Sequence, residues 1–304
     1  MIQGRGEIRQ PTMTRTRADA VLLFVTVIWG IAFVAQRFGS AHMSPLSFNA
    51  ARFLLGGILV ALFAWWRSSR GGGAFSIRCS RDGLALGTAL ALAALLQQIG
   101  VPQTTTANSS FLTIMNVIFV PLMSVLVGYR PRAIELVGAC IAVVGAYLMS
   151  VDGEFSVHPG DWWVLASALF WAVHIVLISL ISSRHDPFKL AAEQFLVCGL
   201  LSLAGALIFE DRANQNIIGA MPSILFAGGV SVALAYTLQV VAQRNVTPSH
   251  AVIILSLEGV FGALAGWVLC DESMTQRAIL GAVILTAGVI LAQVPAGGAE
   301  GVRT

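Results

Sequence analysis

Charge is scarce in this sequence: 11% of its 304 residues are Asp, Glu, Lys or Arg, against about 25% in soluble domains. Lysine is nearly absent, with Lys189 alone. A lone lysine outside any glycine-rich loop excludes the GxxxxGK[ST] phosphate cradle, and with it direct drive by ATP bound to this chain. Cysteine is sparse too. Cys79, Cys140, Cys198 and Cys270 fall in a loop, in two apolar stretches and at the end of a third, which is no disulfide framework. The histidines, His42, His158, His174, His185 and His250, include no HExxH and no paired zinc spacing, so no metal site and no cofactor is expected. Ser231 with His250 is the only pair that would suit an intramembrane hydrolase, and its signal is poor; the chain reads as no enzyme. A channel would show repeated filter carbonyls or rings of charge, and neither is visible.

What is abundant is apolar: 57% hydrophobic residues, with a mean hydropathy of +0.81. Apolar segments run at about 18–37, 45–66, 83–100, 107–127, 133–151, 162–181, 188–209, 218–241, 249–269 and 277–294. Each is close to the roughly 20 residues that cross a bilayer, and breakers such as Pro45, Gly71 to Gly73, Pro102, Pro131, Pro159, Pro187 and Pro248 separate them. The first run is too long for the apolar core of a signal peptide and has a counterpart later in the chain. The expected fold is therefore an all-α integral membrane protein of ten transmembrane helices. Its outer surface should face a lipid bilayer.

Ten spans put both termini on one side. With the N-terminus inside, fourteen basic residues fall in inner segments, from Arg5, Arg9, Arg15 and Arg17 through Lys189 to Arg303. Only Arg37, Arg212 and Arg277 fall outside, and Arg52 lies within a span. This positive-inside bias predicts a multi-pass protein of a bacterial inner membrane with both termini cytoplasmic. The basic loops need no nucleic acid to explain them.

An internal repeat at a shift of 142 residues organises the chain. Trp29 falls on Trp171, Pro45 on Pro187, Phe53 on Phe195 and Gln97 on Gln239; after a slip of one residue, Gly138 and Gly145 fall on Gly281 and Gly288. Five spans per half is an odd number, so the second half is expected upside down relative to the first. The divisions are a cytoplasmic segment 1–17, five helices over 18–151, five more over 161–294, and a cytoplasmic tail 295–304.

Glu258 stands at the centre of this pattern. It lies ten residues after Pro248, about 15 Å along a helix and near the middle of a roughly 30 Å hydrocarbon core. An ionised Glu facing lipid costs several kcal/mol, so Glu258 must point inward, find a partner or take up a proton. Gly262, Ala265 and Gly266 share its helix face, which lets another backbone or a ligand approach. The repeat sets Glu258 on Asn116, which shares a polar ridge with Asn108, Thr113 and Ser124. These residues either line a site for a polar solute or bond helix to helix.

Gln97 and Gln239, with Tyr236 one turn away, are either ligands of the solute or a bonded pair at the axis. Trp29 and Trp171 add a repeat-related aromatic pair. His174, one turn from Trp171, is either a proton shuttle to Glu258 or a satisfied buried histidine. Arg52 either snorkels to the near interface or braces the fold. Glu193 is expected to be solvated at the interface.

The stretches Ile28-Trp29-Gly30, Pro45 followed by Arg52-Phe53, Phe111-Leu112-Thr113 ahead of Pro121-Leu122, Ser256-Leu257-Glu258 and the closing Gly281 to Gly288 resemble the EamA-type branch of the drug/metabolite transporter superfamily. The resemblance covers about residues 18–294. It implies two inverted five-helix repeats and export of small metabolites, amino acids among them. Gly259 stands where many relatives have proline after the Glu.

Together these readings lead to a secondary transporter that moves a small-molecule substrate by alternating access, as monomer or homodimer. Its substrate site comprises Glu258, Asn116, Gln97, Gln239, Tyr236, Asn108, Trp29, Trp171 and His174, with protons as coupling partner at Glu258. An uncoupled facilitator is the alternative within transport, and an intramembrane enzyme or receptor outside it. The charge bias sets a test of topology. In a background without native cysteines, Gly72→Cys and Ser183→Cys should be labelled by an impermeant thiol reagent only from the cytoplasmic face, and Gly153→Cys only from outside. External labelling of Gly72→Cys in intact cells would reverse the orientation.

Overall fold

The computed structural model describes residues 13–70, 80–104, 106–150, 158–211, 215–270 and 274–294. Residues 1–12 of the N-terminal segment, the tail 295–304 and the side chain of Asn108 lie outside the described residues. The described chain is helical, with no strand among those residues. Its first half holds α1 (Arg15–Ser40), α2 (Pro45–Arg70), α3 (Arg81–Gly100), α4 (Thr106–Ile114), α5 (Asn116–Leu126) and α6 (Ala133–Ser150). The second half holds α7 (Pro159–Ile181), α8 (Pro187–Phe209), α9 (Ile217–Leu225), a π-helical segment (Phe226–Tyr236), α10 (Thr237–Gln243), α11 (Pro248–Leu255), α12 (Glu258–Cys270) and α13 (Gln276–Gln293).

Local chemistry sets the starts of these helices. Thr14, Ser80, Asp186, Asn216, Thr247 and Thr275 each accept a hydrogen bond from a first-turn backbone N–H, satisfying donors that the helix itself leaves orphaned. Proline occupies the first position of α2, α7, α8 and α11, where its missing N–H costs nothing. Glu210, just past α8, caps α2 from a distance, accepting from Leu46 N (2.7 Å) and Ser47 N (2.8 Å). Glu193 is buried and not solvated as its position suggested, because Ser80 donates to it through both N and Oγ.

Among the described residues, eight helical stretches are long and apolar enough to cross a membrane, and two shorter apolar ones cover Phe111–Leu126 and Ala133–Met149. The outward side chains are apolar, with Leu126 and Ile218 each 86% exposed. That is the surface of a membrane protein, whose polar residues turn inward.

Two stretches expected as unbroken helices are interrupted. Met115 separates α4 from α5, and Ser256 and Leu257 separate α11 from α12. At both places i→i−3 bonds tighten the turn: Met115 N donates to Leu112 O, Leu257 N to Ile254 O and Gly259 N to Ser256 O. The Ser256 hydroxyl also donates to Ile253 O (2.7 Å), a competing local bond of the kind that bends membrane helices. The segment before α10 winds as a π-helix over 11 residues, another departure from the regular span expected there.

Packing is closest where side chains are smallest. A Cβ on Gly138 would lie 2.6 Å from Gly288 O, and one on Gly288 2.7 Å from Gly138 O, so α6 and α13 meet backbone to backbone. Gly145 and Gly281 repeat this reciprocal contact further along the pair. α2 packs along α8, α3 lies against α7 and α8, and α1 crosses α12 where Gly30 faces Phe261 and Gly262. At one end Arg15 and Asp19 of α1 hold the two ring nitrogens of His250 on α11, at 2.9 and 2.7 Å. The α6–α13 pair contributes nothing to the cavity described below and serves as scaffold. Gly138→Leu should therefore lower the folded yield in detergent more than it lowers activity per folded molecule; normal yield with lost activity would contradict the scaffold role.

Candidate functional site

A cavity opens between residues of the two halves of the chain. Three repeat-related pairs meet on its wall: Trp29 with Trp171, Gln97 with Gln239, and Asn116 with Glu258. Tyr236 completes the expected residues that line it. Asn116 is the first residue of α5 and Glu258 the first of α12, so both interrupted helices begin at the cavity.

The wall carries polar atoms without protein partners. Nε1 of Trp29 and of Trp171, Oδ1 of Asn116 and Oε1 of Gln239 and of Gln36 are buried and make no hydrogen bond. Among the described residues Glu258 makes neither a hydrogen bond nor an ion pair, although it stands partly accessible in the cavity wall. Donors and acceptors left open in a low-dielectric interior are costly unless something else satisfies them. The wall thus offers two indole N–H donors, several amide oxygens and a carboxylate.

Other polar atoms make hydrogen bonds that hold the lining in place. Gln97 Nε2 donates to Thr113 Oγ1 (3.2 Å), whose hydroxyl donates to Ser109 O (2.8 Å). Gln239 Nε2 donates to Gln243 Oε1 (3.1 Å), and Gln243 Nε2 donates to Ser179 Oγ (2.9 Å) and Ile175 O (2.5 Å). The two glutamines therefore anchor to separate helices and are not bonded to each other. His174 is not on the wall. Its Nε2 bonds Gln194 Oε1 at 2.8 Å, and its ring packs edge-on to Trp171 and Tyr236. It sits behind the aromatic layer as a buried histidine.

Tyr236 is the centre of that layer. Its ring lies 4.5 Å from Trp29, 6.0 Å from Trp171 in a stacked pose, 6.1 Å from Phe195 and 6.2 Å from Phe53. Such pairs add to plain area burial. The π-helical segment brings both Ser231 and Tyr236 to the wall.

Sequence reasoning missed Gln36, which shares a face with Trp29 at i+7 and lines the cavity with Phe33. Of the two readings of Arg52, the structure rules out snorkelling: the residue is 3% exposed and lines the cavity.

The EamA-like transporter family model matches residues 16–151 and again 158–293. An uncharacterized transporter of Archaeoglobus fulgidus is 30% identical over 280 residues, 91% of this chain and 86% of its own. The uncharacterized inner membrane transporter YedA of Escherichia coli K12 is 25% identical, with 89% and 88% covered. A crystal structure of another protein superposes with a TM-score of 0.77 over 92% of this chain and 98% of that one, at 17% identity, which speaks to the fold.

The aromatic layer gives a direct test. Tyr236→Ala removes the ring on which four others rest and should destabilise the fold by roughly 3–5 kcal/mol, as large aromatic truncations do, read as a lower thermal midpoint in detergent. Tyr236→Phe keeps the ring and should leave the midpoint unchanged. Equal midpoints for Ala and Phe would show that the layer is not a structural unit.

Proposed function

The chain belongs to the EamA-like transporter family, and on that premise we propose that this membrane transporter is a secondary exporter of amino acids or related small metabolites, working by alternating access. In this reading ten helices cross the bacterial inner membrane as two inverted halves, over 18–151 and 161–294, with both termini in the cytoplasm. The observation that carries it is the meeting of Trp29 with Trp171, Gln97 with Gln239 and Asn116 with Glu258 on one cavity wall. Related positions from two halves converge when the halves are arranged about an axis through the site.

The packing supports the same reading. α1 lies on α12 and α7 on α5; α2 packs against the π-helical segment and α8 against α3. Each contact has its counterpart at the 142-residue shift. Two halves with equivalent contacts can exchange conformations, so that a gate open on one side in one state becomes a gate open on the other in the next. The solute then meets one set of wall groups from either side.

Glu258 would couple the cycle to protons. A carboxylate at membrane depth that makes no ion pair among the described residues is neutralised by binding a proton or by a cationic group of the solute. Binding a proton from one side and releasing it to the other as the cavity reorients would link proton flow to solute flow. Glu258→Gln keeps size and hydrogen bonding but cannot titrate. In proteoliposomes it should abolish accumulation driven by an imposed pH gradient while solute exchange largely persists. Gradient-driven accumulation equal to the wild type would end the proton-coupling reading, and wild-type exchange without any gradient response would favour a facilitator.

A further inference from the structure

Arg52 is the charged residue of the cavity whose chemistry this reading does not use. It is 3% exposed, and among the described residues it has no carboxylate partner. Its Nε donates to Asn49 Oδ1 one turn back (2.9 Å), and its guanidinium carbon lies 4.8 Å from the Phe53 ring centre and 5.6 Å from that of Phe48. These contacts fix the stem and one edge of the fork. Neither terminal nitrogen makes a hydrogen bond, although the residue lines the cavity. A cation taken out of water is strongly disfavoured without an anion or several acceptors. The cation–π contacts replace only part of its hydration.

The repeat offers an internal comparison. The position 142 residues after Arg52 is Gln194, fully buried and bonded to His174. The same place in the other half packs with a neutral side chain, so the architecture does not call for a cation there. What distinguishes position 52 is its place on the cavity wall. The wall residues include one cation, Arg52, and one carboxylate, Glu258.

We propose that Arg52 is the anion-binding residue of the cavity, its free guanidinium edge receiving the carboxylate of the transported solute. The planar fork matches a carboxylate in two parallel hydrogen bonds. A monoanion fits better than a phosphate monoester, because one cation cannot balance two negative charges in a wall that already holds Glu258. Simple amines are poor ligands at this end of the cavity. This assignment rests on the cavity being the solute site.

Matched probes separate the two ideas. For the purified protein in detergent, binding is read from the shift in thermal midpoint with leucine, with isocaproate (the same skeleton without the ammonium), with isoamylamine (without the carboxylate) and with glycerol phosphate; the phenylalanine, hydrocinnamate and phenethylamine set repeats the comparison. The wild type should bind the carboxylates and not the amines. Arg52→Gln should weaken carboxylate binding about ten- to a hundredfold, the value of the charged hydrogen bonds lost, and Arg52→Lys should keep the preference for acid over amine at lower affinity. Amines bound as well as acids, no carboxylate bound by the wild type, tighter binding of the phosphate ester, or undiminished binding by Arg52→Gln would each overturn the proposal. Should Arg52→Gln fail to fold, the wild-type comparison and Arg52→Lys still decide. Carboxylate binding that depends on Arg52 in a protein that moves no solute in vesicles would instead remove the transport reading and leave the subsite standing.

Discussion

Hydrocarbon offers no hydrogen bonds, so every polar group at membrane depth has to be answered from inside the protein. That constraint sorts this chain. Backbone groups are answered within helices, and helix starts by capping side chains such as Thr14, Ser80 and Asp186. Buried polar side chains are answered by one another in the Gln97–Thr113–Ser109 and Gln239–Gln243–Ser179 chains. Glu258, Arg52, the two indoles and the Asn116 carbonyl, each with polar atoms that find no partner among the described residues, line one cavity.

The scaffold and the site solve opposite problems with the same kind of residue. Between α6 and α13, Gly138, Gly145, Gly281 and Gly288 let two backbones touch, and dispersion over that contact holds the pair together. Around α12, Gly259 and Gly262 let Ile114 and Phe33 close in beside Glu258. The first contact is rigid and apolar. The second lies beside the cavity that Phe33, Arg52 and Glu258 line.

Much of this was readable before any coordinates. Composition alone called for a membrane protein, and the 142-residue repeat picked out Trp29, Trp171, Gln97, Gln239, Asn116 and Glu258, all of which line the cavity. Apolar runs carry no mark of a tightened turn, so the interruptions at Met115 and at Ser256 and Leu257 were not foreseen, nor was the π-helical segment. Snorkelling of Arg52 was left open for a related reason: distance along a helix places a residue in depth but says nothing about which way it points. His174 showed the same limit, with a depth suited to the site and a side chain turned to Gln194 behind the aromatic layer.

The central claim is that the cavity holding Asn116 and Glu258 opens in turn to the two sides of the membrane. Its most direct test is Asn116→Cys in a background without native cysteines, labelled in oriented vesicles by an impermeant thiol reagent applied to one face at a time, with and without leucine. Labelling from either face, slowed at both by a bound solute, is the result this account predicts. Labelling from neither face, or from one face only under every condition, would contradict it.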